Sequence, residues 1–354
     1  MAHRLSRRAL LRSSAALGGL VVLSSCAPAA APSPAATAAA SAGAASAAPK
    51  ATKATGAWVA LTSNQMLWPV ALEAGYFKKY GQAFDLSYVS GSNNAMAAML
   101  GGKIDMTSVA GSAVVTSAAG GEDVVLIAGF VNKMIFRVMA MPGVTSIDQL
   151  KGKTIAVTRI GTADYFAWGS IAKHQGWKLE DFQFVAANDP PGQIAVLTSG
   201  KCAAIAVSPP NNILAQKAGA HEILDMSTYN EPEQNVGIAV TRKYLTDNKD
   251  AVTANLKATI EAIARWKQDP AFVKTVIGKY LKNTDPQFLD IGYSAYKDVF
   301  PQVPYPSEEA FQQVINETAT QKAKAKDLKP AQLMDTSILK EIEASGFVKK
   351  LYGQ

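Results

Sequence analysis

A strand, a polar loop and a helix follow one another twice within residues 58–105, and this alternation narrows the fold more than any other stretch. Residues 58–61 are a short apolar run, broken by the turn and capping residues Thr62, Ser63, Asn64 and Gln65. Trp68, Ala71, Leu72, Gly75 and Tyr76 then recur at the spacing of an amphipathic helix stripe. Residues 84–89 read as a strand, Gly91, Ser92, Asn93 and Asn94 as a second polar loop, and 95–100 as a helix stopped by Gly101 and Gly102. Each loop closes a strand and opens a helix, so unpaired backbone N–H groups gather along one edge. In open α/β sheets that edge is where ligands bind.

The rest of the chain keeps the pattern. Residues 105–110 extend as a strand, Gly111 and Ser112 open a third helix, and 124–128 is a buried strand. The run 135–141 reads as a first crossing into a second lobe, and 236–241 as the return. Between them strands are expected at 154–157, 182–187, 203–207 and 222–224, and helices at 163–175, 193–197 and 212–218. From residue 243 onward helices are expected at 250–267, 270–281, 286–296, 307–323 and 338–345; Pro270 and Pro286 suit a first turn, where no N–H is needed. A weak internal repeat supports two lobes. Gly102-Lys103-Ile104-Asp105 and Gly200-Lys201-Cys202-Ala203 each end a helix and start a strand. The expected division is 57–141 with 236–354 for the first lobe and 142–235 for the second.

Several of these stretches carry a resemblance. Trp68-Pro69-Val70-Ala71-Leu72-Glu73-Ala74-Gly75-Tyr76-Phe77 and then Gly102-Lys103-Ile104-Asp105 resemble the sulfonate-, nitrate- and taurine-binding family of ABC-transporter substrate-binding proteins. That family includes binders of the thiamine pyrimidine precursor. Asp148-Gln149-Leu150-Lys151-Gly152-Lys153-Thr154-Ile155-Ala156-Val157 is similar to it too, as are Asp335 to Leu339 and Ser345-Gly346-Phe347, so the likeness spans about residues 57–350. The family's frequent Asp is Ala203 in the second repeat. The resemblance implies an α/β, type 2 periplasmic-binding-protein-like fold, each lobe a mixed sheet flanked by helices. It also implies capture of a small organic or inorganic anion or heteroaromatic precursor between the lobes, delivery to an ABC permease, a monomer, and neither cofactor nor catalysis. Two alternatives stay open. Relatives that make the thiamine pyrimidine are enzymes that look to use clustered Cys and His, whereas the body here has one Cys and two His. A ligand-sensing module of a membrane receptor is the other.

The first residues lie outside any fold argument. Ser6-Arg7-Arg8-Ala9-Leu10-Leu11-Arg12 resembles a twin-arginine export signal, and residues 15–23 form an apolar stretch shorter than the ~20 residues of a membrane span. Leu23-Ser24-Ser25-Cys26 is similar to a bacterial lipobox, which makes Cys26 the expected lipidation site and residues 1–26 the signal. Residues 27–56 are almost wholly Ala, Pro, Ser, Thr and Gly, the composition of a flexible tether. Signal, anchor and tether together place the body outside the cytoplasmic membrane. Four arginines before Cys26 and Lys50 and Lys53 in the tether hold six of the seven net positive charges. The body is therefore nearly neutral and offers no basic stripe for nucleic acid. With Cys26 lipidated, Cys202 has no disulfide partner and reads as a small buried hydrophobe.

Enzyme and metal signatures are sparse. His174 and His221 have no Cys, His or carboxylate at metal-ligand spacing, and no Gly-x-Ser-x-Gly elbow or Gly-x-Gly-x-x-Gly turn occurs. What remains is a set of small polar residues at helix starts. Ser63, Asn64, Ser92, Asn93 and Ser112 come from the first lobe; Arg159, Gly161, Thr162, Tyr165, Ser208 and Asn211 come from the second, with Asp164 and Gln193 beside them. Each Ser, Thr or Asn also suits the plain role of capping its own helix, and the set gains weight because the loops converge on one cleft. Asn132 and Lys133 follow a strand and could join the rim. Arg159, at a strand-to-helix turn, suits a carboxylate, sulfonate or phosphate; the alternative is a solvated surface arginine. Tyr165 suits stacking on a planar ligand, whereas Trp68 lies on a helix stripe that favours the core.

Overall fold

The computed structural model describes residues 51–353, so Cys26, the expected signal and the tether up to residue 50 lie outside the described residues. In chain order the strands are β1 (Thr52–Trp58), β2 (Gln82–Tyr88), β3 (Met106–Val109), β4 (Val124–Lys133), β5 (Arg137–Ala140), β6 (Thr154–Val157), β7 (Gln183–Ala186), β8 (Ala204–Val207), β9 (His221–Asp225) and β10 (Pro232–Thr241). They form two five-stranded sheets, ordered β2-β1-β3-β10-β4 and β7-β6-β8-β5-β9. In the first, β1 pairs parallel with β2 and β3, and β10 runs antiparallel to β3 and β4. The second repeats the plan, with β6 parallel to β7 and β8, and β5 antiparallel to β8 and β9. The architecture is the expected α/β pair of mixed sheets flanked by helices.

Both sheets are covered on both faces, which explains why their strands read as continuous apolar runs. Along β4, Val125 and Ile127 enter one cluster with Trp68 and Trp266, while Val124 and Leu126 enter another with Met96 and Phe311. Along β8, Ala204 and Ala206 face Trp168, whereas Ile205 and Val207 face Leu197 and Cys202. Successive side chains on a strand point to opposite faces, so one sheet organises two cores. Cys202 is a free, buried thiol.

Two strands cross between the lobes. β10 lies between β3 and β4, and β5 lies between β8 and β9. The expected boundaries therefore need correction. Residues 137–140 belong to the second sheet rather than to a first lobe of 57–141, and β10 begins at Pro232 rather than at 236. Glu233, Gln234 and Asn235 hid that start, because all three are polar yet buried in the strand. The tether is shorter than the expected 27–56: Thr52–Trp58 is β1, paired with β2 from Thr52 onward. β10 approaches β4 so closely that a Cβ on Gly237 would lie 2.2 Å from the Ala128 carbonyl oxygen.

The internal repeat has a physical counterpart. Asp105 Oδ2 accepts the Thr55 N–H at 2.7 Å and the Thr55 hydroxyl at 2.8 Å, tying the turn before β3 to β1. The Asp105 N–H returns a bond to the Thr55 carbonyl at 3.1 Å. In the second lobe Ala203 keeps only the backbone bond, its N–H donating to the Thr154 carbonyl at 2.8 Å. The turn survives without its carboxylate because the backbone bond sets the register.

Helix Leu67–Glu73 packs on helix Lys249–Gln268 through Trp68, which is 1% exposed. The indole Nε1 donates to Asn255 Oδ1 at 3.1 Å and lies 3.2 Å from Thr259 Oγ1, and the ring meets Phe84 edge-on at 5.2 Å. Trp68 is thus core, as its stripe position indicated. Gly75, with φ 72°, ends the stripe before the short helix Tyr76–Lys79. The C-terminal helices expected from Pro270 and Pro286 run over Pro270–Leu281 and Pro286–Lys297, each capped by an Asp side chain that accepts a backbone N–H. Among the described residues, no helix is long and apolar enough to cross a membrane.

Candidate functional site

The ends of the parallel strands of both sheets face one another across a cavity of about 100 Å³. From the first lobe it is lined by Val59 and Ala60 after β1, by Thr62, Asn64 and Gln65 of the next loop, and by Gly91 and Ser92 at the start of helix Ser92–Leu100. Ala110, ahead of helix Gly111–Ala119, and Asn235 and Val236 of β10 complete that side. The second lobe supplies Phe136, then Thr158, Thr162, Ala163 and Asp164 around the start of helix Ala163–His174. Asn188, Asp189, Pro190 and Gln193 at the start of helix Pro190–Thr198, and Ala206, Val207 and Ser208 at the end of β8, close it. Four helix starts thus converge on one space, the arrangement the polar loops implied.

Hydrogen bonds fasten the lobes around this space. The Thr62 hydroxyl donates to the Pro209 carbonyl at 2.9 Å, and Asn211 Nδ2 donates to the Leu61 carbonyl at 3.0 Å. The Tyr296 hydroxyl, from a C-terminal helix of the first lobe, also donates to Pro209 O, at 3.0 Å. Nearer the surface, Arg159 Nη1 donates to Asn94 Oδ1 at 2.9 Å, and Lys217 pairs with Asp285.

Of the residues singled out from sequence, Asn64, Ser92, Thr162 and Ser208 line the cavity, together with Asp164 and Gln193. The others have different places. Ser63 is buried against helix Pro286–Lys297, its Oγ 2.7 Å from where a Cβ on Gly292 would stand. Asn93 is exposed. Ser112 is buried at the start of Gly111–Ala119 with its hydroxyl unpartnered, outside the lining. Gly161 shapes the turn before Ala163–His174 with φ 81°, and Asn211 serves as an inter-lobe clasp. Tyr165 stacks into the second lobe's core, tilted against Phe184 at 4.8 Å, because its position on the helix faces the sheet. Arg159 folds over Gly91 toward Asn94 instead of entering the cavity. Asn132 is held by the Tyr305 carbonyl at 2.8 Å and lies outside the lining with Lys133.

The cavity's charge is acidic. Among the described residues that line it there is no Lys, Arg or His, and there are two carboxylates, Asp164 and Asp189. Burial holds the Asp164 carboxyl above its ordinary value, against hydrogen bonds from Thr162 and Thr158 that lower it. Behind the lining, burial and then the charge of Glu317 push the Glu233 carboxyl well above the usual carboxylate range. Among the described residues no group of three His, Cys, Asp or Glu could hold a metal ion.

A family model described as NMT1/THI5 like matches residues 63–272, more than half of the chain. The chain belongs to that family. No curated protein matches the sequence. Among solved structures, this NMT1/THI5-like chain is similar to the alkanesulfonate-binding protein SsuA from Xanthomonas axonopodis pv. citri bound to MOPS, with TM-score 0.67 and 16% identity over 82% of this chain and 100% of that one. It is also similar to the periplasmic aliphatic sulphonate binding protein SsuA from Escherichia coli, with TM-score 0.63 and 16% identity over 81% of this chain and 92% of that one. The periplasmic nitrate-binding protein NrtA from Synechocystis PCC 6803 matches with TM-score 0.64 and 15% identity, over 84% and 90% of the two chains. At such identities the likeness establishes the periplasmic-binding-protein fold.

The family matches do not explain every wall of the cavity. Thr62, Gln65, Thr158, Asn188, Asp189 and Asn235 line it although sequence reasoning had not chosen them. Thr62 and Gln65 flank Ser63 and Asn64 in the polar loop that ends the apolar run 58–61. Asn188 and Asp189 lie between the strand expected at 182–187 and the helix expected at 193–197. Asn235 gave no signal, since its strand was expected to begin one residue later.

Proposed function

We propose that the protein is the solute-binding component of an ABC importer, taking up a small molecule between its lobes and presenting the closed form to a membrane permease. The observation that carries this reading is the cavity itself: polar helix starts from both lobes meet around a small space, and the two halves are fastened across it by Thr62, Asn211 and Tyr296. A binding protein needs only a solute that prefers the closed arrangement over the open one. The side chains available suit that task. Amides, hydroxyls and carboxylates line the space, whereas His174 pairs with Glu231, and His221 and Cys202 lie elsewhere in the second lobe. The enzymatic alternative within the family looks to use clustered Cys and His, and among the described residues that line the cavity there is neither, which favours recognition.

The test is to purify the full chain under mild conditions, release any bound small molecule by unfolding, and identify it by mass spectrometry. Recovery of an intact solute that rebinds supports the reading. Steady conversion of that solute to another product would replace it with the enzymatic one.

The extracytoplasmic location and lipid anchor belong to the same proposal. They rest on the apolar stretch ending in Leu23-Ser24-Ser25-Cys26 and on the tether that follows. Cys26→Ser is expected to shift the protein from the membrane fraction to the soluble fraction. Unchanged fractionation would remove the anchor from the proposal without touching the cleft.

A further inference from the structure

We infer that the solute taken by this cleft is a small cation carrying N–H donors, of the alkylammonium, amidinium or guanidinium kind, and not an oxyanion. The inference rests on reading the cleft as a solute site and narrows what the solute is. Independent observations from the two lobes carry it.

In the second lobe, the place that suits an oxyanion is already filled. A helix start draws negative charge because its first N–H groups are unpaired and the peptide dipoles point there. At the start of Ala163–His174 the negative group is the protein's own. The Asp164 carboxylate accepts the Thr158 N–H at 2.6 Å, the Thr158 hydroxyl at 2.7 Å, the Thr162 hydroxyl at 2.5 Å and Gln193 Nε2 at 3.1 Å. The N–H groups of Thr158 and Gln193 can only donate, so Oδ2 is held as an acceptor. At the neighbouring helix start, Asp189 Oδ1 accepts the Gly192 N–H at 2.7 Å. In the first lobe the Ala110 N–H is likewise engaged, by Ser92 Oγ at 3.2 Å. A nitrate or sulfonate entering here would find these donors taken and would meet the carboxyl oxygens of Asp164 and Asp189, acceptors like its own.

In the first lobe, the wall offers acceptors that lack donors. Asn64 and Gln65 are 3% and 4% exposed, and Asn64 Oδ1 and Gln65 Oε1 are buried with no partner. The orientation of Asn64 is fixed by a relay: its Nδ2 donates to Asn235 Oδ1 at 3.1 Å, and Asn235 Nδ2 donates to Glu233 Oε2 at 3.3 Å. The amide end of Asn64 is thereby occupied and its carbonyl end is left over. Buried carbonyls without a donor are disfavoured, and a ligand N–H meets that need where an oxyanion would add a third acceptor. No basic side chain among the described residues lines the cavity to offset an anion, and Arg159 is turned to Asn94. A donor-bearing cation gains both the carbonyl bonds and the attraction of Asp164 and Asp189. An anion gains neither.

Acetamidine, acetamide and acetate share one shape and differ in charge, so calorimetric titration of the full chain with these three, beside nitrate and methanesulfonate, isolates the effect. Acetamidine is expected to bind at least ~10-fold more tightly than acetate or either oxyanion. In Asp164→Asn the gap between acetamidine and acetate should shrink by a similar factor. Gln65→Met, which removes a carbonyl with no partner to lose, should weaken acetamidine while leaving the ligand-free melting temperature unchanged, so a folding defect in Asp164→Asn does not block the test. Mass spectrometry of the co-purified molecule supplies the second arm, where an amine, amidine or guanidine agrees with the inference. Tighter binding of nitrate, methanesulfonate or acetate, or a co-purified molecule with a sulfonate or phosphate as its only charged group, overturns the cation assignment and leaves the solute-binding reading standing. No binding across the panel and no co-purified molecule would overturn both.

Discussion

Replacing Trp68 by alanine is expected to lower the unfolding free energy by about 3–5 kcal/mol, the range for removing a large buried aromatic side chain. Trp68 is nearly fully buried between helix Lys249–Gln268 and β2, so little solvent can fill the space left behind. The loss is also polar. Asn255 Oδ1 would lose the indole donor at 3.1 Å while remaining fully buried, which alone costs about 1–3 kcal/mol. Trp68→Phe separates the two contributions in part, since it keeps one aromatic ring while removing the N–H and the rest of the indole. Chemical denaturation of the parent and both variants measures them. If Trp68 instead stacked on the solute, Trp68→Ala would weaken binding at nearly unchanged stability, and that result would displace the core assignment.

Saturating solute is expected to stabilise the protein by about 2.7 kcal/mol at a hundredfold excess over the dissociation constant, and so to raise the melting temperature by several degrees. The same addition should reduce the radius of gyration, because the lobes meet around the cavity and, among the described residues, are joined by two crossings, β4 to β5 and β9 to β10. The clasps give the prediction a second handle. Thr62→Val and Asn211→Ala remove the bonds to Pro209 O and Leu61 O, whose partners all lie on the opposite lobe. Their combined loss should favour the open arrangement and weaken the solute, since the population competent to hold it falls. Small-angle scattering with and without solute checks this directly. A solute that raises the melting temperature at constant dimensions, in parent and clasp variants alike, would show binding without closure.

How far the sequence reached can be seen in particular residues. The strand Thr154–Val157 and the helix Pro270–Leu281 were legible to the residue, because an apolar run between turn residues and a proline at a first helical turn are local signals. The family likeness was legible for the same reason, since its motifs lie within helices and the turns that end them. Local patterns also identified the helix starts, and with them Asn64, Ser92, Thr162 and Ser208.

Other features were settled only by residues far apart in the chain. Residues 52–56 have the composition of a tether, and they are strand because β2 and β3 pair with β1. Glu233, Gln234 and Asn235 look like a loop, and they are buried because β10 is pulled into the first sheet beside β4. Arg159 carried the expectation of an anionic solute, yet its guanidinium finds Asn94, sixty-five residues away, while Asp164 takes the helix start nearby. The sequence by itself determined the elements, their alternation and the edge where a site could form, since each follows from spacing along one segment. Tertiary structure decided which side chains reach that site and with what charge, since a side chain's direction depends on the partners packed around it, and those partners come from other segments of the chain.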